Sequence, residues 1–197
     1  MRITAQAKLE TRERILETAA KLFTGTGWEG TTTREIAAAA GIATGTLFNY
    51  FETKEAIATC LIGEALQQAE QDFVARTHDQ ESLEEELFAF IWGGLKRLRQ
   101  YRQFLAPAVE TIFSPLAQFS PGRTGDPIRV RHLETVQEIL GRQGMQAPGA
   151  VTMQLYWTLY LGVFAVWSAD ESPNQEDTLA LLDQSLSLFA ASLRRGK

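Results

Sequence analysis

Side chains that carry out catalysis or bind metals are scarce in this chain: of 197 residues, one is cysteine and two are histidine. The single Cys60 excludes a disulfide within the chain and suits a reducing compartment, so we expect a cytoplasmic protein. His78 and His132 lie far apart, and no metal-ligand spacing, phosphate-binding glycine loop or nucleophile motif accompanies them. We therefore expect no enzyme, no cofactor and no metal site.

Long apolar runs are also missing. The most apolar stretch, residues 155–167, is flanked by Gln154 and Ser168 and is shorter than the roughly 20 residues that a membrane-spanning helix needs. The first residues contain no apolar signal core, so we expect no export signal. We expect no membrane partner and predict that the apolar stretch is a buried helix.

Positive charge is in short supply, because the chain has a formal net charge of −5. The acidity is not uniform: residues 1–54 hold seven Lys/Arg and six Asp/Glu, whereas the remainder holds twelve and eighteen. Charges interact over roughly a Debye length, about 8 Å at physiological salt. An acidic distal region would therefore oppose binding of a polyanion to the N-terminal region only weakly.

Strand-like alternation is absent, and apolar residues recur at helical spacing throughout, which predicts an all-α fold. Two capping boxes, Thr32–Glu35 and Ser82–Glu85, indicate helix starts, and Gly41 ends a short helix. Proline and glycine are concentrated at 114–127, which predicts a loop. Helices are predicted over 12–24, 33–40, 44–50, 53–76, 83–98, 102–113, 128–141, 148–169 and 176–194.

The segment 31–51 has the pattern of a helix-turn-helix, in which one short helix braces a second that enters the major groove. A buried face is expected from Ile36, Ile42, Leu47 and Phe51, while small alanines allow the helices to approach closely. The exposed side of the second helix carries Thr44, Thr46, Asn49 and Tyr50, with Gly45 leaving the backbone open. Threonine and asparagine can hydrogen-bond base edges. Two short helices packed in any helical protein would give a similar pattern, so the segment alone leaves both alternatives open.

A longer series of residues resembles the DNA-binding domain of the tetracycline-repressor (TetR) family of bacterial regulators. The matching residues are Arg12, Ile15, Leu16, Ala19, Leu22, Phe23, Gly27, Thr31, Thr32, Ile36, Ala37, Ala40, Gly41, Gly45, Thr46, Leu47, Phe48, Phe51, Lys54 and Glu55. They follow the family pattern in order and at its intervals, over roughly the first quarter of the chain. The resemblance implies a three-helix DNA-binding domain at 1–52 and a larger helical ligand-binding and dimerisation domain at 53–197.

The resemblance also implies roles for individual residues in binding double-stranded DNA at a palindromic operator. The residues expected to contact DNA are Thr32, Thr33, Arg34, Thr44, Gly45, Thr46, Asn49, Tyr50 and Lys54. Among them, Thr32 and Thr33 would contact phosphate, Thr44, Thr46 and Asn49 would face bases, and Tyr50 and Lys54 would hold the backbone. Phe48 stands where the family usually has Tyr, so we expect it to pack rather than bind phosphate. Ala43 replaces a frequent capping Ser, which weakens the cap or transfers it to Thr44.

The distal region is predicted to dimerise, because one short recognition helix reads few base pairs and two copies give useful specificity. The expected interface is a four-helix arrangement of the last two helices, although a hairpin packed inside one monomer would account for one face. The residues predicted to form it are Leu155, Leu159, Gly162, Leu179, Leu182, Leu186, Phe189 and Leu193.

Aromatic residues are abundant in the distal region and suggest a pocket for a small, largely apolar effector. The candidate lining residues are Phe88, Trp92, Tyr101, Phe104, Phe113, Tyr156, Tyr160 and Phe164. For each ring alone, a place in the core is the more frequent role. The sequence thus predicts a ligand-responsive DNA-binding regulator, with repression inferred from the resemblance. The alternatives are a DNA-binding protein without an effector, architectural or controlled by a partner, and a helical enzyme or carrier.

Overall fold

The computed structural model describes residues 4–76, 81–105 and 127–195, and within these residues every regular element is a helix. The elements are α1 (Ala5–Gly25), α2 (Thr33–Ala39), α3 (Thr44–Phe48), α4 (Lys54–Val74), α5 (Leu83–Leu98), the 3-10 helix η1 (Arg99–Phe104), α6 (Pro127–Arg142), α7 (Ala150–Ala169), the 3-10 helix η2 (Pro173–Gln175) and α8 (Glu176–Arg195). The all-α prediction is confirmed. The predicted loop at 114–127 and most of the helix predicted over 102–113 lie outside the described residues.

Local signals in the sequence set several helix ends. The amide of Thr32 donates to Glu35 Oε2 at 2.7 Å while the Glu35 amide donates to Thr32 Oγ1 at 3.2 Å, which completes the predicted capping box of α2. The second predicted box forms at Ser82 and starts α5. Gly41 has a φ of +69°, a conformation that glycine adopts without strain after a helix.

One compact unit contains the described residues up to Ala65 together with those from Leu98 to Leu105. Its core includes Phe23 and Phe104, both 0% exposed. Their ring centroids lie 4.9 Å apart, and Trp28 stacks on Phe104 at 6.2 Å. The 3-10 helix η1 therefore packs on α1 and completes the core of the unit that contains α2 and α3.

The second compact unit contains Leu66–Arg97 and the described residues from Pro127 onward. In it α7 and α8 form a packed pair, and polar side chains join α6 to its neighbours. Thr135 donates to Glu70 on α4 at 2.9 Å, and Arg142 Nε donates to Glu86 on α5 at 2.8 Å. Glu86 is only 1% exposed, so its carboxylate depends for its solvation on Arg142 and on Gln143, which donates from Nε2 at 3.0 Å.

The helix α4 contributes its residues up to Ala65 to the first compact unit and its residues from Leu66 onward to the second. The two units are defined by packing and divide the chain at Ala65, whereas the domains expected from the sequence divide it at 52/53. The latter boundary concerns function and stays a prediction.

The apolar stretch at 155–167 lies within α7, which is long and apolar enough to cross a membrane by length and composition alone. In the fold α7 packs against α8 and buries seven of its side chains, Tyr156 and Trp167 among them. The core helix of a helical protein passes the same test of length and composition, so α7 is weak evidence for a membrane span.

Candidate nucleic-acid interface

The helices α2 and α3 are held together by their buried residues. Ile36 and Leu47 are both 0% exposed, and Phe51 follows α3 at 7%. Arg14 on α1 donates from Nε to the carbonyl of Ala40 at 2.9 Å, which fixes the end of α2 to α1. The sequence predicted the apolar contacts of this helix-turn-helix but not the bond from Arg14, because a charged residue on a surface helix gives no sign of a distant carbonyl partner.

The face of α3 opposite Leu47 is open to solvent. Successive helical residues are about 100° apart, so Gly45 and Asn49 lie farthest from the buried Leu47, and both are exposed. Thr44 and Thr46 flank this face and are half-buried. Among the described residues, the side chains of these two threonines and of Asn49 find no hydrogen-bond partner. Their donors and acceptors are available to base edges.

The start of α3 lacks a side-chain cap. Ala43 occupies the N-cap position and makes no side-chain hydrogen bond, as its methyl group dictates, so the cap is not transferred to Thr44. On α2, Thr33 is half-buried and Arg34 is exposed. Tyr50, just after α3, is half-buried. Across residues 31–54, which the structure describes in full, Arg34 is the cation that makes neither an ion pair nor a hydrogen bond.

The hydroxyl of Thr32, predicted to contact phosphate, is already used inside the capping box. It donates to Glu35 Oε2 at 2.9 Å and accepts the Glu35 amide. Hydrogen bonds from the amide and from the hydroxyl of Thr32 lower the pKa of Glu35 below its usual value and keep the carboxylate charged. A phosphate contact from this hydroxyl would replace its bond to Glu35 Oε2 and leave the two amide bonds of the box in place, so Thr32 serves α2 as a helix cap and its phosphate contact stays a prediction.

Lys54, predicted to hold the DNA backbone, is turned toward the protein. Its ammonium donates to the carbonyls of Trp28 at 2.8 Å and Thr31 at 3.0 Å and lies 4.2 Å from the centre of the Trp28 ring. The side chain is half-buried by these contacts. In this structure Lys54 stabilises the turn between α1 and α2 through its contacts with Trp28 and Thr31, and its contact with the DNA backbone stays a prediction.

Phe48, predicted to pack, is 48% exposed. The neighbouring Leu47 and Phe51, at 0% and 7% exposed, are the side chains that enter the core beneath α3. The structure therefore corrects this expectation and places a phenyl ring on the solvent side of α3.

The aromatic residues predicted to line a pocket do not share one environment. Tyr101 and Phe104 belong to the unit that contains α2 and α3, with ring centroids 5.4 Å apart, and Phe104 is a core residue there. Phe88 and Trp92 are half-buried on α5. Phe113 lies outside the described residues.

Tyr156, Tyr160 and Phe164 are buried in the second unit, each no more than 4% exposed. Tyr156 and Tyr160 surround the half-buried His132, whose Nε2 lies 2.8 Å from the Tyr156 hydroxyl oxygen. Desolvation lowers the pKa of His132 and raises the pKa of both tyrosines, so all three groups are neutral at pH 7. A shallow apolar depression next to them has a cavity volume of only about 10 Å³. Ligand pockets usually enclose about 300 to 1,000 Å³.

The residues predicted for a dimer interface fall into three groups by exposure. Leu182, Leu186 and Phe189 are no more than 3% exposed, because α7 and α8 pack together within one chain, and the structure moves them from the interface to the core. On α7, Leu155 is 41% exposed and Gly162 is also exposed. The remaining three, Leu159, Leu179 and Leu193, are half-buried.

Groups suited to catalysis are few in the described part of the chain. Burial raises the pKa of the Cys60 thiol to about 11, which keeps it protonated and poorly nucleophilic at neutral pH. Arg12 and Glu64 are its polar neighbours. Over residues 4–76, 81–105 and 127–195, no three side chains of His, Cys, Asp or Glu come together in a way that could hold a metal ion.

Comparison with known proteins supports the helix-turn-helix assignment. Residues 15–59 match the family model of the bacterial regulatory proteins of the tetR family. A search among curated proteins finds no match.

Solved structures share the fold over most of the chain. A TetR transcriptional regulator from Nitrosomonas europaea superimposes with a TM-score of 0.67 at 21% identity, covering 91% of this chain and 97% of that one. A TetR transcriptional regulator from Rhodococcus sp. RHA1 gives 0.67 at 19% identity, covering 92% and 97%. Thermus thermophilus FadR, a TetR-family transcriptional repressor in complex with lauroyl-CoA, gives 0.63 at 24% identity, covering 91% and 93%.

These structural likenesses show the fold, while the family model matches the very segment that forms α2 and α3. Residues 15–59 therefore match the tetR family of bacterial regulatory proteins, and the chain as a whole is similar in fold to solved TetR regulators.

Proposed function

We propose that this chain is a homodimeric repressor that binds a palindromic operator and is released from it by a small, largely apolar effector. In this proposal residues 1–52 read DNA, residues 53–197 bind the effector and form the dimer, and the protein acts in the cytoplasm. The repressing role rests on the family, and the effector and the dimer rest on features of the second compact unit.

The observation that carries the DNA-binding role is the solvent face of α3. It presents Thr44, Thr46 and Asn49 without hydrogen-bond partners among the described residues, while Leu47 and Phe51 anchor the helix from below. These exposed polar groups are solvated by water, and they can exchange that water for specific hydrogen bonds with base edges in the major groove. Arg34 on α2 supplies a cation for phosphate beside them.

Selection from a random pool of duplex oligonucleotides tests this role. We expect enrichment of a palindromic sequence, since a dimer reads two half-sites about one helical turn apart. Asn49→Ala should relax the preference at particular base pairs by about 1 to 3 kcal/mol each. The matched control is Gln67→Ala, which removes an exposed amide side chain from α4. If the wild-type protein enriches no sequence, DNA reading by α3 is refuted.

The dimer is supported by apolar residues left in solvent on α7 and α8. Val151 is 85% exposed, Leu155 41%, Val166 39% and Leu188 57%. The three residues on α7, Val151, Leu155 and Val166, lie at helical spacing on one face of the helix. The same face carries Gly162, whose missing side chain permits a close approach of another helix. A contiguous apolar face of this kind is typical of an interface.

Sedimentation velocity tests the dimer with a matched pair of variants. Leu155→Glu places a charge on the exposed face of α7 and should yield monomers at concentrations where the wild-type protein is dimeric. Val130→Glu is the control, because Val130 is also an exposed apolar residue, at 46%, but lies on α6. Equal sedimentation of Leu155→Glu and wild type would remove this face from the interface.

The effector is supported by the aromatic residues of the second unit and by the fold shared with a regulator that binds lauroyl-CoA. Tyr156 and Tyr160 offer hydroxyl groups beside apolar rings, the combination found in pockets for largely apolar ligands. Release of the selected DNA by acyl-CoA esters, free fatty acids and other apolar metabolites is the test. Release by a compound that also raises the melting temperature of the protein without DNA would identify an effector.

A DNA-binding regulator without a small-molecule effector is the second candidate function. One observation favours it: Tyr156, Tyr160 and Phe164 are almost fully buried against other side chains, and the depression beside them is shallow. If no compound in the screen releases the DNA or stabilises the protein, this second function is the better account of the second unit.

A further inference from the structure

An exposed phenyl ring lies on the solvent side of α3. Among residues 31–54, all of which the structure describes, Phe48 is the only large apolar side chain that is exposed, at 48%. Its neighbours Leu47 and Phe51 are 0% and 7% exposed. The core beneath α3 is therefore complete without Phe48, and the ring contributes little to the stability of the helix-turn-helix.

The position of Phe48 along α3 places it among the groups that face solvent. At about 100° per residue it lies one turn after Thr44, on the side of the helix that also carries Gly45 and Asn49. Gly45 has open space around it, since a methyl group added there would meet no atom within 4 Å. The ring thus stands at the border of a small open surface formed by Gly45, with the polar side chains of Thr44 and Asn49 beside it.

The chemistry of the ring limits what it can recognise on DNA. A phenyl group has no hydrogen-bond donor for a phosphate, and burying a phosphate against it would cost solvation. In the major groove the apolar group displayed by a base edge is the 5-methyl of thymine, and phenylalanine is one of the side chains that contact it. From this placement and chemistry we propose that Phe48 selects thymine in the operator through the 5-methyl group. The inference rests on the proposed function, because it requires α3 to enter the major groove.

The expected effect follows from the area of one methyl group. Burying a methyl or methylene group against an apolar surface changes an equilibrium constant by about fourfold. A palindromic site engages the ring of each protomer, so removal of the methyl from both half-sites should weaken binding by about fifteenfold.

The test uses deoxyuridine, which differs from thymidine only by the missing methyl. After the bound sequence has been selected, each thymine is replaced in turn by deoxyuridine in both half-sites, and dissociation constants are measured for wild type, Phe48→Ala and Asn49→Ala. We expect one position at which the replacement costs wild type about fifteenfold and costs Phe48→Ala nothing. The Asn49→Ala variant should keep the full sensitivity at that position. Phe48→Ala should remain folded in the binding buffer, because about half of the side chain is already exposed, and its urea unfolding curve checks this.

The outcomes separate the inference from the function on which it rests. If no sequence is enriched, the proposed function fails. If a sequence is enriched but no replacement affects wild type more than Phe48→Ala, the inference alone is overturned. Phe48→Ala binding more weakly to every duplex by the same factor, non-selected DNA included, would also overturn it and would place the ring against the sugar-phosphate backbone.

Discussion

Replacement of Lys54 by methionine distinguishes two roles for this residue, contact with DNA phosphate and stabilisation of the protein. The ammonium donates to the carbonyls of Trp28 and Thr31 at 2.8 and 3.0 Å and lies over the Trp28 ring. Methionine keeps most of the apolar stem but removes both hydrogen bonds and the charge. The carbonyl of Thr31 belongs to a residue only 1% exposed, so water replaces the lost donor poorly.

The size of the effect follows from the two bonds. A hydrogen bond from a charged donor contributes about 1.5 to 3 kcal/mol when buried. Because Lys54 is half-buried and water can solvate part of its environment, we expect a loss of about 2 kcal/mol for both bonds together. That loss corresponds to a roughly 30-fold increase in the population of locally opened molecules. The opening should be local to the turn between α1 and α2, where both carbonyls lie.

Hydrogen–deuterium exchange and salt-dependent DNA binding measure the two roles separately. Exchange in peptides covering Trp28 to Ala39 should accelerate by about 30-fold in Lys54→Met, while peptides from α7 and α8 should be unchanged. The slope of log affinity against log salt should equal that of wild type, since each lost phosphate contact would lower it by about 0.9. Lys21→Met is the control, because Lys21 is an exposed cation of α1 and should leave local exchange unchanged.

A specific result would refute the structural argument. If Lys54→Met exchanges like wild type but lowers the salt slope by about one, the ammonium binds phosphate and its bonds to the turn do not matter for stability. The role expected from the family resemblance would then be the correct one.

Three further changes have outcomes that follow from the structure. Arg34→Ala should lower the salt slope of DNA binding by about 0.9, because Arg34 is the exposed cation of α2. Glu86→Ala should lower the free energy of unfolding in urea by about 3 kcal/mol. The carboxylate is 1% exposed and accepts hydrogen bonds from Arg142, and its removal would leave the guanidinium without this acceptor. Asp170 accepts hydrogen bonds from Ser172 and Thr178, which lower its pKa, so its contribution to stability is complete above about pH 5 and is lost as pH falls below 4. The difference in unfolding free energy between wild type and Asp170→Asn should therefore shrink as the pH is lowered through this range.

Each of these expectations has a clear contrary result. An unchanged salt slope for Arg34→Ala would show that the exposed guanidinium does not reach phosphate. A loss below 1 kcal/mol for Glu86→Ala would show that Arg142, whose side chain is 41% exposed, regains its solvation from water. A stability difference for Asp170→Asn that is the same at pH 3 and pH 7 would exclude a charged carboxylate as the source of the stabilisation.

The features that the sequence predicted correctly depend on neighbours close along the chain. The capping boxes at Thr32–Glu35 and Ser82–Glu85 need residues three positions apart, and both form. Gly41 takes the positive φ that ends a helix. The buried residues Ile36 and Leu47 followed from helical spacing alone. Such features are local because a helix brings together residues three and four apart, whatever the rest of the chain does.

Other features were decided only by the tertiary structure. Lys54 reaches carbonyls 23 and 26 positions away, and Phe104 enters the core beside Phe23, which lies 81 positions earlier in the chain. Phe48 is exposed while Leu182 is buried, although both are apolar residues at helical spacing. Apolar patterning shows that one face of a helix prefers to leave water, but whether that face meets its own chain, a second copy or DNA depends on which elements fold against it. The sequence by itself determined the helices and the helix-turn-helix motif of this protein. The packing of distant elements decided which of its side chains remain exposed and able to contact DNA or a second copy of the chain.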